Sequence, residues 1–262
     1  MPTRPQAVVL FDIDGVIRDV SGSYRRAIVE TVHHYAGQRP EPAAIDALKS
    51  EGRWNNDWEA SLELLRRAGH TPLPAFEALV AVFEAFYFGG DPAGDPSQWR
   101  GFIGDEPLLV QPAFFASLTA ADLAYGFVSG AEPPSCRYVL QTRLALADPP
   151  LIAMGDAPDK PDPTGLLQLA APLAGGVLGE EAPPVAYLGD TVADVLTVQR
   201  ARAQCPGQRF LSLAVAPPHL HGHPAARASY ETRLREAGAD AVIPSTAALL
   251  SCLSHLDAIN LN

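Results

Sequence analysis

Two carboxylates stand two residues apart in Asp12-Ile13-Asp14-Gly15, with a glycine directly behind them. They close the apolar run Val8-Val9-Leu10-Phe11, which reads as a strand buried inside a parallel sheet. Open α/β sheets bind ligands beyond the carboxyl ends of their strands, so the pair is expected where a ligand would lie. Two acids held together there repel one another unless a cation or a shared proton offsets their charge. Read alone, the segment also fits a strand that ends in solvated acids before a glycine turn.

Comparable polar groups close later apolar runs. Ser129-Gly130 offers a hydroxyl and a backbone N–H with no bulky side chain after it. Lys160 lies in the loop from Gly155 to Pro163, and Lys49 is the only other lysine in an arginine-rich chain. A compact ammonium with three donors suits a phosphate oxygen. Gly189-Asp190-Thr191-Val192-Ala193-Asp194 sets a second acid pair one helical turn apart, behind a glycine that permits an unusual turn. Taken singly, Lys160 fits a surface lysine before a helix, and Asp190 with Asp194 fits a helix N-terminal cap pair. Taken together, these are the groups that phosphoryl transfer uses.

The elements that must position them alternate. Apolar runs recur at Tyr125–Val128, Leu151–Met154, Val185–Leu188, Phe210–Val215 and Ala241–Ile243, with helical patterns over Pro112–Leu123, Thr164–Leu173 and Thr191–Ala203 between them. That order predicts an α/β fold, a Rossmann-like parallel sheet with right-handed crossovers. Pro161 is read as an early position of the helix that follows it. The stretch 21–88 breaks the rhythm: helices are predicted over Ser23–Tyr35, Trp58–Ala68 and Phe76–Phe88, without a strand. Gly89-Gly90-Asp91-Pro92-Ala93-Gly94-Asp95-Pro96 reads as a boundary loop. The expected division is a core of residues 1–17 and 96–262 and an inserted α-helical cap domain of residues 18–95. An insertion after the first strand is well placed to serve as a lid.

Composition narrows the partners. The 262-residue chain carries a net charge of −11, which argues against nucleic acid and anionic membranes, since both need a basic face. No apolar run approaches the ~20 residues of a membrane-spanning helix. Cys136, Cys205 and Cys252 are an odd number without metal-type spacing, as expected of thiols in a reducing, cytoplasmic compartment. The oligomeric state, monomer or dimer, is not legible.

The four segments resemble the motifs of the haloacid dehalogenase (HAD) superfamily of hydrolases, in order. Asp12-Ile13-Asp14-Gly15-Val16 is similar to the first motif, Ser129 to the second, Lys160-Pro161 to the third, and Gly189-Asp190-Thr191 with Asp194 to the fourth. The helical insertion between the first two resembles the cap of subfamily IA. The resemblance implies that Asp12 is a nucleophile forming an aspartyl-phosphate and that Asp14 is the general acid and then the base. It implies that Ser129 and Lys160 hold the transferred phosphoryl oxygens. It implies Mg²⁺ as cofactor, bound by Asp12, the main-chain carbonyl of Asp14 and Asp190, with Asp194 orienting Lys160 or a metal-bound water. Gly15 and Gly130 are expected beside the bound substrate. In the superfamily a tyrosine at the position of Asp14 goes with carbon–halogen hydrolysis and an alanine with phosphonate cleavage, so an acid there points to phosphate esters. The reaction implied is hydrolysis of a phosphomonoester of a small metabolite. A phosphomutase of the β-phosphoglucomutase type is the second reading and a non-catalytic phosphate-binding module the third.

Two polar clusters belong to the cap. Arg18-Asp19-Val20-Ser21-Gly22-Ser23-Tyr24 leaves the catalytic strand near the expected hinge. In Arg53-Trp54-Asn55-Asn56-Asp57-Trp58, the residues Arg53, Asn55 and Asn56 are candidate substrate contacts, and Asn56 or Asp57 equally suits a helix start. His219-Leu220-His221-Gly222-His223 alternates histidines in a proline-flanked loop with no Cys or Glu to complete a metal set. Gly175-Gly176-Val177-Leu178-Gly179 lacks dinucleotide-fingerprint spacing.

Overall fold

Ala7 to Phe11 form strand β1, and every one of its side chains is buried. A strand covered on both faces belongs in the middle of a parallel sheet, and β1 pairs on one side with β2 (Leu123–Val128) and on the other with β4 (Val185–Gly189), both parallel. The computed structural model describes residues 4–51, 54 and 56–256. Within it β3 (Leu151–Ile152), β5 (Phe210–Val215) and β6 (Ala241–Ile243) complete a six-stranded parallel sheet in the order β3-β2-β1-β4-β5-β6. The α/β fold and its parallel sheet are therefore as the sequence implies.

Alternate residues of β1 feed two cores. Val9 and Phe11 pack with Phe115 and Leu118 of one helix, Pro112–Ala120, and with Leu249 and Leu253 of another, Leu249–His255. Val8 and Leu10 pack with Leu166 and Leu169 of the helix Thr164–Leu173 and with Val198 and Ala201 of the helix Val192–Gln204. Each such side chain, taken fully out of water, contributes about 1.5–3 kcal/mol, which fixes the strand register that positions the site.

Some expectations shift. The third run keeps only two residues as strand at the sheet edge: Pro149-Pro150 precedes it, and the Ala153 N–H turns to Asp156 Oδ2 at 2.9 Å. Pro161 is not in a helix; the helix starts at Thr164, whose N–H is taken by Asp162 Oδ1 at 2.9 Å. A helix over Pro224–Glu236 escaped the sequence reading because it buries Leu234 alone.

The chain divides into two compact units, one ending at Asp19 and resuming at Leu108, the other Val20–Pro107. Among its described residues the second holds the α-helices Tyr24–Ala36, Pro42–Ser50, Asp57–Arg67 and Phe76–Tyr87. Its interior is aromatic: Tyr24 stacks on Tyr87 with ring centroids 4.5 Å apart. Buried Glu106 accepts hydrogen bonds from Ser23 Oγ at 2.5 Å and Tyr87 OH at 3.1 Å. The sequence reading ended the insertion at 95, on the Gly/Pro run. In the structure the segment beyond that run packs with the helices, Trp99 against Phe88 at 4.7 Å and Phe102 against Phe86 at 6.2 Å.

Backbones nearly touch at this junction. The Gly101 N–H donates to the Phe88 carbonyl at 2.9 Å, and a Cβ on Gly101 would fall 2.3 Å from the Tyr87 carbonyl oxygen. Gly101→Ala is expected to destabilise the helical unit by about 1–3 kcal/mol. Trp54, Trp58 and Trp99, the only tryptophans, all lie in that unit, so urea unfolding followed by tryptophan fluorescence reads the change. Gly22→Ala, whose methyl meets nothing within 4 Å, serves as control, and equal midpoints for the two variants would refute the close packing.

Candidate active site at the carboxyl ends of the strands

Parallel register decides which loops meet. Phe11 lies level with Phe127 of β2 and Leu188 of β4, and the Asp12 N–H continues the ladder to the Leu188 carbonyl at 2.9 Å. The residues just beyond, Asp12, Ser129 and Asp190, therefore leave three adjacent strands at one end. The strand order also reverses here, since β2 and β4 lie on opposite sides of β1, and such switch points open the crevices where α/β sheets bind ligands.

Lys160 reaches this end from the loop after β3. Its Nζ is 2.8 Å from Asp12 Oδ2 and 2.6 Å from Asp194 Oδ1. Asp194 is 1% exposed, and its other oxygen, Oδ2, accepts from the Thr191 N–H at 2.9 Å and the Thr191 hydroxyl at 2.6 Å. Thr191 Oγ1 in turn accepts from the Asp194 N–H, completing a capping box on the helix Val192–Gln204. Asp194 is thus both a cap and the anchor of Lys160. The cap partner is Thr191, not Asp190, which leaves Asp190 facing the acidic cluster.

Two glycines make this approach possible. Gly15 has φ +74°, and a Cβ there would lie 2.1 Å from Asp190 Oδ2. A Cβ on Gly189 would lie 2.2 Å from the Asp194 Cβ.

Electrostatics follow from that crowding. Burial, together with Asp194 and Asp14 and against the pull of Lys160, pushes the Asp12 carboxyl up to about 6. Burial raises Asp190 well above the usual carboxylate range, with Asp194 and Asp12 adding to the shift. Burial would raise Asp194 too, but Lys160 and the Thr191 hydrogen bonds hold it below that range. Lys160 stays charged: burial opposes its proton, and Asp12 with Asp194 outweighs burial.

Carboxylate oxygens of Asp12, Asp190 and Asp194 lie within 4.8 Å of one another. Such a hard, anionic oxygen set fits a cation of the Mg²⁺ or Ca²⁺ class. Both oxygens of Asp194 are already engaged by Lys160 and Thr191, so Asp12 and Asp190 are the better placed to take a cation.

Asp14 stands apart from this network. Its Oδ1 accepts from Arg18 Nε at 2.8 Å, and its side chain is 26% exposed. Ser129 is buried at the end of β2; its N–H donates to the Ile152 carbonyl at 2.9 Å and its Oγ accepts from the Ala131 N–H at 3.2 Å. Gly130 is exposed, with open space where a Cβ would be. Asn56 Oδ1 caps the helix Asp57–Arg67, taking the N–H groups of Trp58 and Glu59 at 2.9 and 3.1 Å, which is the helix-start role the sequence also suggested. Arg53 and Asn55 lie outside the described residues. His221 Nε2 sits 2.8 Å from the Ala216 carbonyl oxygen, and no histidine joins a metal-ligating group among the described residues.

The sequence reading missed two supporting residues and set a third, Arg18, near a hinge. The Tyr187 hydroxyl, from the middle of β4, lies 3.0 Å from both Asp194 Oδ1 and the Val128 carbonyl and accepts from Lys160 Nζ at 3.2 Å. Tyr230 donates to the main-chain carbonyl of Asp190 at 2.9 Å. Arg18 is wholly buried behind Asp14. The first two sit in segments whose apolar or helical pattern hides a polar tip, and no local signal marks them.

Among the described residues, no helix is long and apolar enough to cross a membrane. No protein-family model matches the chain. An imidazoleglycerol-phosphate dehydratase from Phytophthora nicotianae is 33% identical over 208 residues, 78% of this chain and 43% of that protein, so the chain spans less than half of that relative's length. Solved structures resemble it over more of its length. A protein assigned as a β-phosphoglucomutase from Thermotoga maritima superposes with a TM-score of 0.65 at 18% identity, covering 95% of this chain and 99% of that one. A haloacid dehalogenase-like protein from Agrobacterium tumefaciens gives 0.60 at 17% identity, over 95% and 98%. Phosphatase Tt82 from Thermococcus thioreducens gives 0.60 at 20% identity, over 78% and 91%. These likenesses show the fold, which the chain shares with haloacid dehalogenase-like and phosphatase structures.

Proposed function

We propose that the chain is a Mg²⁺-dependent hydrolase of a small phosphomonoester. The observation that carries this reading is the Lys160 ammonium bridging Asp12 and Asp194 beside Asp190, at the carboxyl end of β1. A cation held by Asp12, Asp190 and the Asp14 carbonyl would supply charge neutralisation for the phosphoryl oxygens. Asp12, fixed at Oδ1 by the Ile13 N–H at 2.7 Å, attacks phosphorus and holds the phosphoryl group as an aspartyl-phosphate. Lys160, with the Ser129 hydroxyl and the Gly130 N–H, binds the transferred oxygens and offsets their charge. Asp14 protonates the departing alcohol and then takes a proton from the attacking water. The helical unit, in this reading a cap, selects the alcohol portion.

The likeness to the Thermotoga protein supports a second reading, in which a sugar hydroxyl replaces water as acceptor. A panel of alkyl, sugar and aryl phosphates with Mg²⁺ separates the two, by inorganic phosphate release against isomeric sugar phosphate. Imidazoleglycerol phosphate belongs in the panel because the Phytophthora relative's name contains that ester. Asp12→Asn is expected to lower turnover of any accepted ester by at least about 1000-fold, since it removes the nucleophile; turnover close to wild type would sink the assignment.

Protons and the cation compete for the same carboxylates. Asp12 titrates near 6 in the folded protein and near 3.8 when unfolded, so between these values the native state holds a proton that the unfolded chain has lost. This contribution favours folding at about pH 4 and is lost as pH rises through about 6. Above that, bound Mg²⁺ offsets the exposed repulsion. The Mg²⁺-induced rise in melting temperature, measured against EDTA, is expected to reach several degrees at pH 7.5 and to vanish near pH 5. A rise equal at both pH values, or absent from both, would rule out a cation site built on Asp12 and Asp190.

A further inference from the structure

Arg18 is the bulkiest of the fully buried side chains. It occupies a turn in which Ile13, Val16 and Ile17 are buried and apolar, so an apolar residue at 18 would suit the segment. A buried ion pair is a poor stabilising device, because desolvation consumes most of its attraction and a well-packed apolar substitute is often as good or better. The position of this arginine instead points to the carboxylate it holds. Nε donates to Asp14 Oδ1 at 2.8 Å, and Nη2 donates to Ser135 Oγ at 2.7 Å. Ser135 is itself fully buried, in the short helix Pro133–Arg137 that follows the Ser129-Gly130 loop.

The backbone fixes the arginine as firmly. The Arg18 carbonyl accepts from the Gly15 N–H at 2.9 Å, its N–H donates to the Ile13 carbonyl at 3.2 Å, and it bridges Leu108 in antiparallel fashion. The guanidinium is therefore tethered to the loops after β1 and β2 and cannot follow Asp14 if that side chain rotates away. Among the described residues Arg18 is the one hydrogen-bond partner of the Asp14 side chain, and it binds a single oxygen from the interior while the carboxylate remains partly exposed.

We propose that Arg18 is a positioning residue for proton transfer, holding Asp14 by Oδ1 so that Oδ2 carries the travelling proton. This rests on the phosphatase reading above. As the bond from phosphorus to the alcohol oxygen breaks and the Asp12–phosphorus bond forms, the proton on Asp14 passes to the departing oxygen. As water then bonds to phosphorus and the Asp12–phosphorus bond breaks, a proton of that water returns to Asp14. An arginine that only filled space would matter equally for every ester; one that aims a proton matters where the leaving group needs one.

The test compares sn-glycerol 3-phosphate, or the alkyl ester of the panel that is turned over fastest, with p-nitrophenyl phosphate, whose leaving group departs without protonation. Arg18→Met is expected to lower kcat for the alkyl ester about 10- to 100-fold, part of the usual 10²–10⁴-fold worth of a positioned acid–base group, at nearly unchanged KM. The first-turnover release of p-nitrophenol should change less than about 3-fold, since that step needs no proton from Asp14. Arg18→Lys should recover part of the alkyl-ester rate. If Arg18→Met does not fold, Ser135→Ala loosens the guanidinium while keeping both charges, and the same selective loss on the alkyl ester is expected. Equal losses on the two esters, or none on the alkyl ester, would overturn the role of Arg18 while leaving the phosphatase reading in place. A wild-type protein that turns over neither ester would overturn both.

Discussion

One charge balance governs the carboxyl end of the sheet. Asp12, Asp190 and Asp194 converge there, and among the described residues the crowding of three carboxylates is met by one ammonium, Lys160, seated between two of them. Sheet register brings Asp12 and Asp190 together, the capping box fixes Asp194, and the loop after β3 delivers the lysine. Removing Lys160 would leave Asp12 and Asp194 buried without their counterpart, which costs far more than the pairs contribute when intact. Burial, with the remaining excess of negative charge adding to it, raises the proton affinity of Asp12 and Asp190, and that excess suits the place to a cation.

Much of this was legible beforehand because it depends on local pattern. Val8 to Phe11 announce a doubly covered strand, and a strand so placed puts Asp12 at a carboxyl end whatever the details of its neighbours. The glycines at 15 and 189 were legible as turn formers, but only the structure shows that each makes room for an aspartate from another turn. Thr191 is masked as a cap by the acids around it, although a threonine followed three residues later by an acid is a recognisable capping arrangement.

What could not be read depended on contacts distant in sequence. Arg18 lies four residues from Asp14, yet the pairing arises in a turn, not on a helix face, and its other tether, Ser135, is 117 positions away. Nothing near Arg18 distinguishes a buried arginine from a hinge-surface one. The same limit explains residues 96–107: the Gly/Pro run looked like a boundary, whereas Trp99 and Phe102 find their aromatic partners back in the helix Phe76–Tyr87 and at Phe88. Asn56 shows the converse, a local signal with two meanings, of which the N–H groups of Trp58 and Glu59 display the cap.

The two acids of the first motif finally acquire different characters from the bases that serve them. Lys160 comes to Asp12 from another crossover and is shared with Asp194, so its charge is divided and Asp12 retains a raised proton affinity. Such a carboxylate gains most from a further positive centre, whether cation or electrophilic phosphorus. Arg18 meets Asp14 from inside the same turn, by one oxygen, with its guanidinium anchored elsewhere. That geometry restrains direction while leaving the carboxylate partly open to solvent, as proton exchange requires. A compact, shared ammonium suits the residue that would form a bond, and a planar, anchored guanidinium suits the one that would move a proton. The asymmetry of the pair is thus built into which base each acid meets.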